Sequence, residues 1–111
     1  MTTTDADRYT YRVRYSTEDG EHVATVAEFP GLSWLAPSPA DAFSGILALV
    51  AEILDDMRAT GEQPPIPFGE REYSGKFQVR IPPEAHRRLA IEAAEQHISL
   101  NRLATNRLTA A

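Results

Sequence analysis

Lys76, Gln78 and Arg80 occupy every second position of one short segment, Lys76-Phe77-Gln78-Val79-Arg80-Ile81-Pro82-Pro83. That spacing puts three long hydrogen-bonding side chains on one side of an extended backbone. Arg and Lys donate to the acceptor edge of guanine, and the amide of Gln pairs with both edge groups of adenine. The trio therefore has the chemistry of a DNA base reader. A second set of donors stands downstream, at Ser99-Leu100-Asn101, where a helix is expected to begin. Ser99 can cap that helix, and the free N–H groups of its first turn suit a phosphate oxygen.

Each set needs an element to hold it. Phe77, Val79 and Ile81 alternate with the polar trio, the period-two pattern of a strand buried on one face, and Pro82-Pro83 end it at a helix start. No second strand follows nearby. The free backbone groups of this strand therefore point to a second copy of the chain, and two copies make an antiparallel ribbon of a width that enters the DNA major groove. The helix that follows carries Glu84 in its first turn and places His86, Leu89, Ala90, Ala93 and Ala94 on one face. His97 then falls in the interhelical turn, where a β-carbon must adopt a left-handed or similarly tight conformation. Leu100, Leu103, Ala104 and Leu108 form the buried stripe of the last helix. The ribbon core is expected to consist of Phe77, Val79, Ile81, Leu89 and Leu103. Arg87, Arg88, Arg102 and Arg107 read as a solvated face.

The first half is organised differently. Tyr9–Tyr15 and His22–Phe29 alternate in the manner of strands, and Asp19-Gly20 between them is a hairpin signal. Pro30-Gly31 fits a type II turn into a third strand, Leu32–Leu35. Ser38-Pro39-Ala40-Asp41 opens a helix with a cap, a first-turn proline and an acid. Phe43, Ile46, Leu47, Val50, Ile53, Leu54 and Met57 give that helix a broad apolar face able to cover the meander, and Gly61 ends it. Met1 to Asp7 reads as a disordered tail. Gly61 to Gly69, with three prolines, reads as a stiff connection holding a short edge strand near Ile66-Pro67-Phe68. The expected class is α+β, with one domain over 1–70 and a second over 71–111.

Charge divides along the same line. Through Glu72 there are 13 acidic and 5 basic residues, a balance of −8; from Tyr73 onward there are 6 basic and 3 acidic, a balance of +3. An acidic front half suits a basic protein partner, and a basic back half suits phosphate. A chain of 111 residues without cysteine excludes disulfide scaffolds and thiolate metal sites. The longest apolar run, Ile46 to Ala51, is far short of the roughly 20 residues that span a bilayer. A cytoplasmic protein with no membrane role is expected.

The stretch from Lys76 to Leu108, with Pro82-Pro83-Glu84 and Ser99-Leu100-Asn101-Arg102-Leu103, resembles the ribbon-helix-helix family of DNA-binding proteins. What precedes it, with Asp19-Gly20 and Glu28-Phe29-Pro30-Gly31-Leu32 ahead of an amphipathic helix, looks like the N-terminal domain of HicB antitoxins. The first resemblance departs at His97, where that family usually has Gly. Together they imply a degenerate ribonuclease H-like front domain that masks a HicA-like toxin, an mRNA-cleaving ribonuclease. They also imply a homodimeric or higher-order back domain that represses its own operon at operator DNA. In that family Ser99, Leu100 and Asn101 would clamp the DNA backbone while Lys76, Gln78 and Arg80 read bases, with the intersubunit core as the alternative place for Asn101. The ribonuclease H kinship raises a metal-dependent nuclease, for which Asp19, Glu28, Asp41 and Asp55 are the carboxylates to weigh. Asp19 belongs to a turn, Asp41 to a helix N-terminus and Asp55 to a polar helix face, leaving Glu28 alone without a structural task. His22, His86 and His97 lack close partners and read as packing or capping residues. No catalytic residue, metal ligand or cofactor is assigned. A stand-alone regulator without an active toxin partner is the second reading.

Overall fold

A computed structural model describes residues 5–110. Strands β1 (Tyr11–Ser16), β2 (Glu21–Val26) and β3 (Ser33–Ala36) form an antiparallel sheet in the order β1-β2-β3. The Asp19-Gly20 hairpin closes with Ser16 opposite Glu21. Gly20 takes φ 65°, and its N–H donates to the Ser16 carbonyl at 2.9 Å. Ser16 Oγ donates to the Asp19 carboxylate, which gives that acid its expected turn role. The second connection differs from expectation. Leu32 N–H closes a turn on Phe29 O at 3.0 Å, but Gly31 is absent from the positive-φ residues. This rules out a type II turn. Proline at the first central position suits types I and II alike, so Pro30 did not decide between them.

Helix α1 (Pro39–Thr60) begins and ends where its signals stand: Ser38 Oγ accepts from Asp41 N–H at 3.1 Å, and Gly61 takes φ 79°. Its innermost residues are Ala42, Ile46, Val50 and Leu54, a four-residue repeat that meets Ala24, Val26 and Ala36 of the sheet. Phe43 lies at the margin of that stripe and remains 41% exposed, with its ring edge-on to Tyr11 at 5.4 Å. On the opposite flank the Trp34 indole lies directly over Gly45, 2.0 Å from where a β-carbon would stand. No larger residue fits there without displacing the indole.

Two irregular segments are more ordered than their composition suggests. Met1 to Thr4 of the expected tail lie outside the described residues, but Ala6 is fully buried and Asp5 pairs with Arg58 of α1 at 2.6 Å. Tyr9 does not extend β1; it turns inward, stacks edge-on against Phe29 and donates its hydroxyl to Pro65 O at 2.7 Å. Tyr11 OH donates to Ala6 O at 2.7 Å. Burial and the nearby Glu28 carboxylate push the Tyr11 phenol up to about 12. The connection after α1 holds no strand at 66–68; a 3₁₀ turn, Phe68–Glu70, follows Pro67, whose missing N–H already limits ladder bonding.

The chain divides between Tyr73 and Ser74 into two compact units. The second contains α2 (Pro83–Glu95) and α3 (Leu100–Thr109). Lys76–Pro82, expected as a strand, has no regular secondary structure in the single chain, because no described strand lies beside it to complete a ladder. No helix among the described residues is long and apolar enough to cross a membrane.

Candidate functional site

Phe77, Val79 and Ile81 are 73%, 62% and 41% exposed, an unusual amount of apolar surface for a segment of this length. Val79 and Ile81 line a cleft of about 400 Å³ with Leu89, Leu100 and Leu108. Phe77 and Val79 line a second one of about 520 Å³ with Asn101, Ala104 and Thr105. Both clefts run along α3. Of the expected core, only Leu103 is buried within one chain; Leu89 is half-buried and the other three residues are open. His86, Ala90 and Ala94 are exposed too, so the α2 face read as packed leaves all but Ala93 and part of Leu89 uncovered in one chain. An apolar face of this kind needs a second surface before it leaves water.

The polar groups lie where the helix signals place them. Ser99 Oγ accepts from Arg102 N–H at 2.9 Å, which caps α3 and leaves the N–H groups of Leu100 and Asn101 at its open end. Ahead of it, His97 takes φ 59°, the left-handed conformation its position requires. Ile98 N–H then reaches back to Ala93 O at 3.0 Å and closes the end of α2. A β-carbon in that region costs free energy that glycine avoids. His97→Gly is therefore expected to stabilise the second unit by about 1 kcal/mol, read as a raised thermal midpoint. An unchanged or lowered midpoint would show that the imidazole contributes packing of its own.

Arg107 does not belong to a free basic face: it forms an ion pair with Glu92 across α2 and α3, and Gln96 also donates to that carboxylate at 3.3 Å. Lys76, Arg80, Arg87, Arg88 and Arg102 have no ion-pair partner among the described residues. The geometry thus leaves the cations of the 76–80 segment exposed beside an uncovered apolar seam.

A family model described as the HicB family matches residues 54–108, from the end of α1 through α3. That match supports HicB family membership. No curated protein and no solved structure matches the chain. The match suggests a toxin–antitoxin-related protein with a toxin partner in general terms, and the matched region contains Lys76, Gln78, Arg80 and Ser99–Asn101. Strands β1 to β3 lie outside it.

In the front unit, Glu28 has the structural task that sequence reasoning failed to find. It is buried, and its two carboxylate oxygens accept from Thr10 N–H at 2.9 Å, Thr10 Oγ1 at 3.0 Å and Phe68 N–H at 2.8 Å. One side chain therefore joins the start of β1, the end of β2 and the 3₁₀ turn. Burial pushes the carboxyl up, but the N–H groups of Phe68 and Thr10 outweigh it and hold the group below its ordinary range. No local signal marks this role, because the donors Thr10 and Phe68 lie 18 and 40 residues from Glu28 in the sequence. No group of three or more His, Asp or Glu side chains able to hold a metal occurs among the described residues.

Proposed function

We propose that this chain is the antitoxin of a type II toxin–antitoxin pair. In this reading the front unit masks a HicA-like mRNA-cleaving toxin. The back unit pairs with a second copy as a ribbon-helix-helix dimer and represses the operon at operator DNA. The observation that supports it most is the coincidence of the HicB family match with an exposed, unpaired segment that is apolar on one side and carries Lys76, Gln78 and Arg80 on the other. Pairing two such segments buries Phe77, Val79 and Ile81 and sets six polar side chains on one ribbon face. Ser99, Leu100 and Asn101 fix the ribbon on the phosphates, which carries orientation but no sequence information. Masking is steric, and the mechanism uses no cofactor and no catalytic step.

Operator binding provides the test. Gln78→Ala and Arg80→Ala are each expected to cost about 1–3 kcal/mol on the specific operator while the dimer persists. Discrimination between operator and unrelated DNA should fall with them. Loss of a phosphate contact would instead weaken binding to all sequences and flatten the salt dependence. A double variant that binds as tightly and selectively as the parent would place the reading face elsewhere. Coexpression with the protein of the adjacent reading frame tests the other half: a harmless, non-binding neighbour would leave the stand-alone regulator as the better account.

A further inference from the structure

The outer edge of β3 has no strand beside it among the described residues. Ala27 N–H donates to Thr10 O, and this fixes the phase of the β1–β2 ladder: Val23 and Thr25 face β1, while His22 and Ala24 face β3. Trp34 and Ala36 are thus the residues bonded to β2, and Ser33 and Leu35 direct both N–H and C=O away from the sheet. Beside those groups Trp34 and Leu35 are each 42% exposed. The strand carries no charge, proline or bulge, the usual devices that keep an edge from pairing. The opposite edge differs, since β1 carries Arg12 and Arg14.

The flank of α1 on the β3 side is known from two contacts. Phe43 meets Tyr11 of β1, and Gly45 lies under Trp34 of β3. Residues seven and eleven beyond Gly45 continue the same helical stripe, and they are Glu52 and Asp56. Both are exposed, and neither has an ion-pair partner among the described residues. An antiparallel pairing of two β3 edges about a two-fold axis keeps both helices on one side of the sheet. It would bring together two acidic front halves, each with a balance of −8 through Glu72. Like charges disfavour that arrangement, and a cationic strand suffers no such penalty.

We infer that the β3 edge receives an extended strand of the toxin, one with Lys or Arg side chains on the helix side that meet Glu52 and Asp56. Backbone bonds to Ser33 and Leu35 supply affinity, and the acidic flank selects the partner. The inference rests on the toxin-masking reading and gives it a surface.

The experiment titrates full-length protein against a catalytically inactive form of the protein encoded in the adjacent frame. Leu35→Pro removes one outward N–H, at a position where an edge strand tolerates proline. It is expected to weaken binding on the order of 100-fold. Glu52→Lys with Asp56→Lys, two exposed changes that leave the core alone, should weaken it about tenfold or more, mainly through slower association at low salt. Arg14→Glu on the other edge should change it little. Parental affinity in the first two variants sinks the surface and spares the toxin-masking reading. A parent that does not bind at all sinks both. A drop in oligomeric state caused by Leu35→Pro would assign the edge to a second copy instead.

Discussion

Val79→Asp is expected to leave the protein monomeric at micromolar concentration and unable to retard operator DNA. Val79 lines both clefts beside α3, so it lies at the centre of the seam rather than at its rim. Phe77, Val79 and Ile81 each contribute roughly 1.5–3 kcal/mol on full burial, and the proposed ribbon dimer would draw on both copies of all three. An unpaired carboxylate at that centre cancels the gain at its own position and adds the cost of burying a charge. The total is on the order of 4 kcal/mol, or about a thousandfold in the dimer constant. Sedimentation equilibrium reads the outcome directly. Because α2 and α3 keep Ala93 and Leu103 buried within one chain, the variant should retain much of its helical circular dichroism. A Val79→Asp protein that stays dimeric would show that the copies associate elsewhere, and the ribbon would lose its physical basis.

How much of this was legible in the sequence depends on whether the deciding interaction is local. Ser38, Gly61 and Ser99 act on N–H or C=O groups within a few residues, and all three cap where their types indicate. The left-handed His97 was readable for the same reason, since a turn of fixed length leaves few conformations. Gly20 likewise follows from the hairpin that contains it. What escaped were contacts between residues far apart in sequence. Ala6 belongs to a polar, acidic N-terminal stretch whose composition reads as disorder, and Tyr9 reads as the start of a strand, yet Tyr9 reaches Pro65 and Asp5 reaches Arg58. Gly45 reads as a weak point in α1 until Trp34 is placed on it. For the candidate site, the alternation of residues 76–81 was plain, but the ladder it implies cannot form within one chain. The sequence pattern and the single-chain structure thus agree only when a second copy is invoked, and the dimer test above bears on both.

Acid should unfold the front unit through Glu28. Its carboxyl ionises below the ordinary value of 4.5, held there by hydrogen bonds from Phe68 and Thr10 that outweigh its burial. A carboxyl depressed on folding contributes stability that is fully present above the unfolded value. That contribution is lost as pH falls from about 4.5 through the lower folded value. The parent is therefore expected to lose stability steeply in this window. Glu28→Gln should be less stable at neutral pH, because its amide offers a donor where Phe68 and Thr10 also donate, and its stability should fall less between neutral pH and the acid window. Glu28→Ala removes all three bonds and is expected to cost about 3 kcal/mol at pH 7, with the 3₁₀ turn released from β1 and β2. Trp34 of β3 is the chain's single tryptophan and packs over Gly45 of α1, so its fluorescence reports the front unit alone during urea titration. If Glu28→Gln and the parent traced parallel stability curves through that pH window, the clamp would not be the acid-sensitive element.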